Sequence, residues 1–399
     1  MLNTPYYLLD LEKLKHNLCS MRNAFERLWP NFKIGYSFKT NNLPWLISWF
    51  RAQGVYAEVV STPEYQLAQF TGYDNDHIIL NGPHKGNETL LKVIKDGGIV
   101  NLDSFEEIRF LMDNLEETKN AKVGLRINFD LEKECPNETI TGEEPGRFGF
   151  NIENGDFEKA VGILKRCQSI KITGIHGHHS TRTKSLKIFS SITNAICKAA
   201  QNIENLEYID LGGCIFGDKP GAPSFDEYAE TITGVMKKHN ISQDVTLIME
   251  PGAALVASPF SYVCKVIATK DIKGTRLVFT DGSKKHIAPQ MNNISFAYNL
   301  PEMNNRQTID RQIISGYSCI EMDRFIDIKE ERELLKDDII EIMNCGAYTI
   351  SLAPLFIEYF PQVVVKDNEE LITVREAWGL KEFLQKNIII NSSLKISPA

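Results

Sequence analysis

The sequence predicts an α/β protein: a (β/α)8 TIM-like barrel over residues 11–258, then a mainly-β domain over residues 259–399 joined by the strand-like stretch 1–10. Three observations carry this expectation. Eight short runs rich in apolar, β-branched and aromatic residues, with helical patterns among them, recur over roughly 240 residues, as eight βα units require. After Pro259 the strand-like runs continue, but no regular helix separates them. The chain has 399 residues, more than a single core usually serves.

The elements follow in order. TPYYLLD is strand-like. In LEKLKHNLCSMRNAF, Leu11, Leu14, Leu18, Met21 and Phe25 share one helical face. FKIGYSF is the first barrel strand, and TNNLPW after it carries loop and helix-start signals. The helix LPWLISWFRAQG, the strand YAEVV, the helix TPEYQLAQF and the strand HIILN come next. NETLLKVIKDG is helical and GIVNL is the fourth strand. SFEEIRFLMDNL opens with Ser104 and Glu107 at capping-box spacing. KVGLRINF, IKITGIHGHH, LEYIDLG and VTLIME complete the eight strands, bounded by loops. The helix SFDEYAETITGVMKKH, with Ser224 and Glu227 again at capping-box spacing, precedes the last. SYVCKVIATKDI, RLVFTDG, DIIEIMNC, QVVVKDN and LITVREA are the strands of the second domain. A doubly wound sheet is the alternative, but it rarely needs so many consecutive units.

Composition narrows the function classes. The net charge of −8 disfavours nucleic acid as a partner, since phosphate backbones need a basic surface. No apolar run reaches the roughly 18 residues of a membrane helix, and the N-terminus lacks signal-peptide order. The eight cysteines form no CxxC pair, so free thiols in a reducing cytoplasm are expected.

Chemistry-bearing residues gather where the barrel strands end, the usual place for catalysis in this architecture. Lys39 follows the first strand, in YSFKTN. IHGHHST carries His176, His178 and His179. Gly212 and Gly213 make a turn after the seventh strand, and Glu250-Pro251-Gly252 ends the eighth. GYSCIEMDRF, with Cys319 and Asp323, and CGAYTIS, with Tyr348, come from the second domain. The close histidines invite a zinc reading, but a catalytic zinc wants three ligands and a structural one four, and no metal is expected. Taken singly, each stretch also has an ordinary structural reading, as a turn or as packing.

Their order along the chain is more specific. It resembles the alanine-racemase-fold (fold type III) pyridoxal-phosphate decarboxylases, which include diaminopimelate and ornithine decarboxylases, through nearly the whole chain. The resemblance implies a homodimer whose active sites form between subunits, with an amino acid as substrate and pyridoxal 5'-phosphate as cofactor. Lys39 matches the lysine that forms the Schiff base with the cofactor aldehyde. Glu250 matches the glutamate beside the ring nitrogen, and His178 the residue stacked on the ring. Gly212, Gly213, Gly252, Thr181 and Tyr348 match positions around the phosphate. Glu58, Ser61 and Glu64, in AEVVSTPE, match residues that line the cofactor or order its lysine. Arg126 matches too, with a less defined role. Arg147 falls where the family has a basic residue before Phe-Gly. Cys319 matches a thiol that arrives from the partner subunit and protonates the carbon left after carbon dioxide departs. Asp323 completes its C-x-x-x-D spacing and, with Arg147 and Glu321, is a candidate to bind the substrate.

The departures concern the phosphate and the substrate. Ala253 stands where the family has an arginine that clamps the phosphate. The third residue of the glycine turn is Cys214, and Ser180 replaces the glycine of the histidine motif. Ile320 follows Cys319, where both named enzymes carry an acidic residue facing the substrate's distal amine. Glu321, one residue on, is the candidate to compensate, though strand alternation would turn it away. Ala288 precedes Pro289, where diaminopimelate enzymes have a carboxylate-binding arginine. These changes point to a related amino acid, modified or conjugated, as substrate. The alternatives are an amino-acid racemase on the same barrel, or an inactive homologue that serves as a binding protein.

Overall fold

The computed structural model describes residues 2–387 except 168, 218, 220, 293 and 303. All eight expected strands form and pair in parallel: Phe32–Ser37, Tyr56–Val59, Ile78–Leu80, Ile99–Leu102, Ala121–Asn128, Ile170–His176, Tyr208–Asp210 and Thr246–Met249. Each neighbours the next, and Thr246–Met249 pairs back onto Phe32–Ser37, so the ring closes. Parallel strands with both faces covered read as continuous apolar runs, which is why these segments stood out in the sequence.

Two glycines make the barrel interior possible. Tyr208 points inward, and a Cβ on Gly124 or Gly174 would lie about 2 Å from its side chain. Ile79 and Ile248 pack with Tyr208. The Tyr208 hydroxyl donates to Asn101 Oδ1 at 2.8 Å, so the buried phenol is satisfied.

Two barrel helices lie where the sequence reading placed only loops: Asp156–Arg166 and Leu186–Ala200. The Ser224–Glu227 capping box forms in full. The one expected at Ser104 forms by half. Ser104 Oγ accepts from Glu107 N–H, but the Glu107 carboxylate takes the amide of Asp103 and the buried ammonium of Lys85 instead.

The chain divides into two units. One spans Glu12–Phe260 and Asn344–Leu352; the other spans Met1–Leu11, Ser261–Met343 and Ala353–Ala399. The segment Asn344–Leu352 therefore belongs with the barrel, not with the second domain to which 259–399 was assigned. It is held by Asn41, whose side chain donates to the Gly346 carbonyl, and by the Tyr348 amide on the Thr40 carbonyl. In the β unit, Tyr6–Asp10 pairs in parallel with Gln362–Asp367. Two strands absent from the sequence reading, Thr308–Ser315 and Arg324–Arg332, form an antiparallel pair there. No helix among the described residues is long and apolar enough to cross a membrane.

Candidate active site in the barrel

The first strand ends at Ser37 and passes into one 3-10 turn, Phe38–Thr40, which presents Lys39 at the strand's carboxyl end. Lys39 lines a cavity of about 540 Å3 together with Glu58, Arg126, His178, Glu250 and Tyr348. Gly213, Gly252, Ala253 and Arg147 line it as well. Its size is that of a small-molecule or cofactor site.

Buried carboxylates organise the strand ends. Glu58 Oε2 accepts from Lys39 Nζ at 2.5 Å and from Ser37 Oγ at 2.6 Å. Asn81 joins this carboxylate to the other, donating to Glu58 Oε1 at 3.2 Å and to Glu250 Oε1 at 2.5 Å. Asn81 is itself fixed by Asn101, whose amide donates to Asn81 Oδ1 at 2.9 Å. Burial works against charge on Lys39, but Glu58 and Glu250 outweigh it and raise its pKa.

Asp210 and Glu250 are a tightly coupled buried pair. Burial, then the neighbouring Glu250 charge, pushes the Asp210 carboxyl well above the usual range. Burial also opposes charge on Glu250, but the His176 ring, a hydrogen bond from Asp210 and the Lys39 ammonium hold its pKa far below that range. Of the two, Asp210 is thus the carboxyl that favours the proton and Glu250 the one that favours the charge. His176 Nε2 lies 3.5 Å from Glu250 Oε2. His176, Asp210 and Glu250 also have the spacing of a metal-binding group; a hydrogen bond between the two carboxyls is consistent with the approach of Asp210 to Glu250.

His178 is held neutral, chiefly by burial and then by the Arg126 charge. Its Nδ1 accepts the Gly213 amide at 3.1 Å, and Gly212, at φ +61°, lies against its ring so closely that a Cβ would collide. Arg126 pairs with Asp103 at 3.2 Å and lies over the Phe148 ring.

Several expected site residues stand elsewhere. Ser61 does not line the cavity: it caps the helix Thr62–Phe70, accepting from Glu64 N–H, while Glu64 takes the Val60 amide. The Thr181 hydroxyl faces Cys214 Sγ at 3.5 Å. Gly212 has its amide on Asp210 Oδ1 and Gly213 has its amide on His178, so neither is the open phosphate donor expected of it. Cys319, Glu321 and Asp323 belong to the β unit. Cys319 is exposed and lines a second cavity, of about 690 Å3, with Ile320 and Arg324. Asp323 lines that cavity too, but it is buried and accepts from Ser283 Oγ, Lys284 N–H and Ser318, bonds that hold its own loop. Glu321 sits in a turn, not a strand, and pairs with Arg324 at 3.0 Å.

Asn81, Asp210 and His176 had no assigned role in the sequence reading. Each stands at or just after the carboxyl end of a barrel strand, which was the one signal for Asn81 and Asp210; His176 also stood out as one of three close histidines.

The residues present fit pyridoxal phosphate. An amine, a deep carboxylate and a neutral imidazole converge on one cavity. Thr40 Oγ1, Arg126 Nε and His176 Nδ1 are buried there without hydrogen-bond partners. Buried polar atoms left open in this way mark room for a polar ligand.

Known proteins bear the same stamp. Residues 11–257 match the family model described as "Pyridoxal-dependent decarboxylase, pyridoxal binding domain". Diaminopimelate decarboxylase of Methanocaldococcus jannaschii is 25% identical over 405 residues, which cover 97% of this chain and 91% of that protein. The L-glutamyl-[BtrI acyl-carrier protein] decarboxylase of Niallia circulans is 26% identical, covering 88% of this chain and 86% of its own. The crystal structure of the M. jannaschii diaminopimelate decarboxylase has the same fold, with a TM-score of 0.87 at 23% identity over 97% of this chain and 93% of that one.

Proposed function

We propose that this chain, which belongs to the pyridoxal-dependent decarboxylase family, removes the carboxylate of an amino acid related to, but distinct from, diaminopimelate. The observation that carries the reading is the juncture of Lys39, Glu58, Asn81 and Glu250 around one cavity. Pyridoxal phosphate, when bound, supplies an aldehyde for a lysine amine and a ring that takes up the electrons of the broken bond. Lys39 is the amine, held by Glu58. Glu250, its pKa depressed, would hold a proton at the ring nitrogen and so sharpen the ring's electron demand. His178, kept neutral, would pack against the ring. Arg147, exposed over the Phe148 ring, is placed for an anionic group of the substrate.

Cys319 is the proton donor in this reading and comes from the partner subunit of a homodimer. Mixing Lys39→Ala chains with Cys319→Ala chains tests that directly. Each variant alone is inactive, and mixed dimers regain a fraction of wild-type activity. Mixtures as dead as their parents would remove the shared site.

Ile320, beside Cys319 and lining the same cavity, is apolar where a distal ammonium needs an anion. This supports a substrate whose far end is not a free amine, such as a conjugated amino acid. The relative from Niallia circulans is named for a glutamyl group carried on a protein. Release of carbon dioxide from free diaminopimelate, from ornithine and from N-acylated or carrier-linked amino acids is the experiment. Best turnover of free diaminopimelate would sink the substrate assignment. Inversion without gas release would identify a racemase instead.

A further inference from the structure

We infer that Lys184 takes the place of the missing arginine and supplies the cation that binds the cofactor phosphate, beside the free amides of Cys214 and Ile215. This rests on the pyridoxal phosphate site proposed above.

Ala253 lines the cavity and brings no charge to it. The glycine turn does not make up the difference at its start, because the Gly212 and Gly213 amides are already bonded to Asp210 and His178. The next two residues are different. Among the described residues, the amides of Cys214 and Ile215 donate to nothing. Cys214 has φ +71°, a left-handed conformation that costs a non-glycine residue roughly 1 kcal/mol or more. Successive amides on either side of such a residue point together and form an anion-binding concavity.

Lys184 reaches this turn from the loop before the helix Leu186–Ala200. Its ammonium lies 3.5 Å from the Ile215 carbonyl and 5.0 Å over the Phe216 ring. It lines the cavity with Cys214, Ile215 and Ala253. No carboxylate pairs with it among the described residues. Among the described residues its ammonium has a long carbonyl contact and a ring face but no anion, so it has charge to offer a ligand.

The backbone around it is held in place. Lys184 is at φ +56°, and its carbonyl accepts from the Tyr228 hydroxyl. The same hydroxyl accepts the Phe216 amide at 3.3 Å, so one buried side chain ties the lysine loop to the glycine turn. The turn in turn rests on the segment bearing Ala253: a Cβ on Gly213 would strike the Glu250 carbonyl, and one on Gly217 the Ala254 carbonyl. The position left by the family arginine and the position reached by Lys184 thus belong to one packed corner.

The test is cofactor binding, read by absorbance titration of the apo-protein, with pyridoxal as the control that lacks the phosphate. Lys184→Met is expected to weaken pyridoxal phosphate binding by about tenfold or more, the worth of one charge-assisted contact. It should leave pyridoxal binding unchanged. Adding Ala253→Arg to Lys184→Met should restore affinity for the phosphate form, because the guanidinium returns from the other side of the corner. Lys184→Met that binds pyridoxal phosphate as the wild type does overturns the inference. So does an equal loss for pyridoxal, which would mean general disruption of the site. Failure of the wild type to bind either compound would instead strike the proposed function itself.

Discussion

At the carboxyl ends of the first, second, third and eighth strands, the buried carboxylates of the cavity and their donors are matched among themselves; in the glycine turn after the seventh strand, two successive amides are not. Glu58 receives Ser37, Lys39 and Asn81, and Glu250 receives Asn81 and shares a proton with Asp210. Cys214, Ile215 and Lys184 wait for a partner among the described residues. The first region is pre-organised: its dipoles are set before any ligand arrives, which is how a protein stabilises developing charge without reorganising. The second gains its missing partner only on binding, so it contributes affinity. One cavity separates holding the chemistry from holding the molecule.

Four substitutions probe that division. Glu250→Gln removes the anion at the centre of the matched region, and kcat/KM is expected to fall roughly 10²–10³-fold. The affinity for pyridoxal phosphate should fall far less. Comparable losses in both would erase the distinction. Asn81→Leu leaves two buried carboxylates without their shared donor. About 2–3 kcal/mol of unfolding free energy should be lost, read by urea denaturation. A variant as stable as wild type would show that Asn81 is not the link between them.

Asp210→Asn addresses the shared proton through pH. The folded pKa of Asp210 is raised, so the native state binds more protons than the unfolded chain, and wild-type stability is eroded as pH climbs above the ordinary carboxylate range. Glu250 acts in the opposite sense. Its depressed pKa contributes stability that is present above that range and lost on acidification. An asparagine at 210 can still accept from Gly212 and donate to Glu250, yet it does not titrate. The variant should match wild type in acid and exceed it increasingly toward alkaline pH. Parallel stability curves would place the proton elsewhere. Ser61→Ala has the smallest expected effect. It should cost about 1 kcal/mol of stability as a lost helix cap, with cofactor affinity at the wild-type level. A large loss of affinity would return Ser61 to the site.

The legibility of these regions in the sequence differs for physical reasons. The eight barrel strands announced themselves because each is buried on both faces. Thr308–Ser315 and Arg324–Arg332 did not, because TIDRQIIS and RFIDIKEER carry charges along one or both faces of a sheet exposed to water. Lys39, His178 and Glu250 were visible as unusual residues at strand ends. Asn81 and Asp210 were hidden, since an asparagine before glycine, or an aspartate shortly before one, reads first as a turn. Their partnership arises only when the third, seventh and eighth strands meet in a closed ring. Asp323 shows a different limit of sequence. Its spacing from Cys319 is a real feature of the sequence, but spacing does not say whether a carboxylate faces a ligand or its own loop.

The segment Asn344–Leu352 has a consequence for biosynthesis. It brings Tyr348 back to the barrel after the chain has made most of the β unit, and its amide bonds to Thr40, next to Lys39. A ribosome adding roughly 5–20 residues per second needs several seconds to travel from Phe260 to that tyrosine. Throughout that interval the emerging barrel has its eight strands but an incomplete cavity. A message truncated before Tyr348 would yield a barrel with its eight strands but without that tyrosine in the lining of its own cavity.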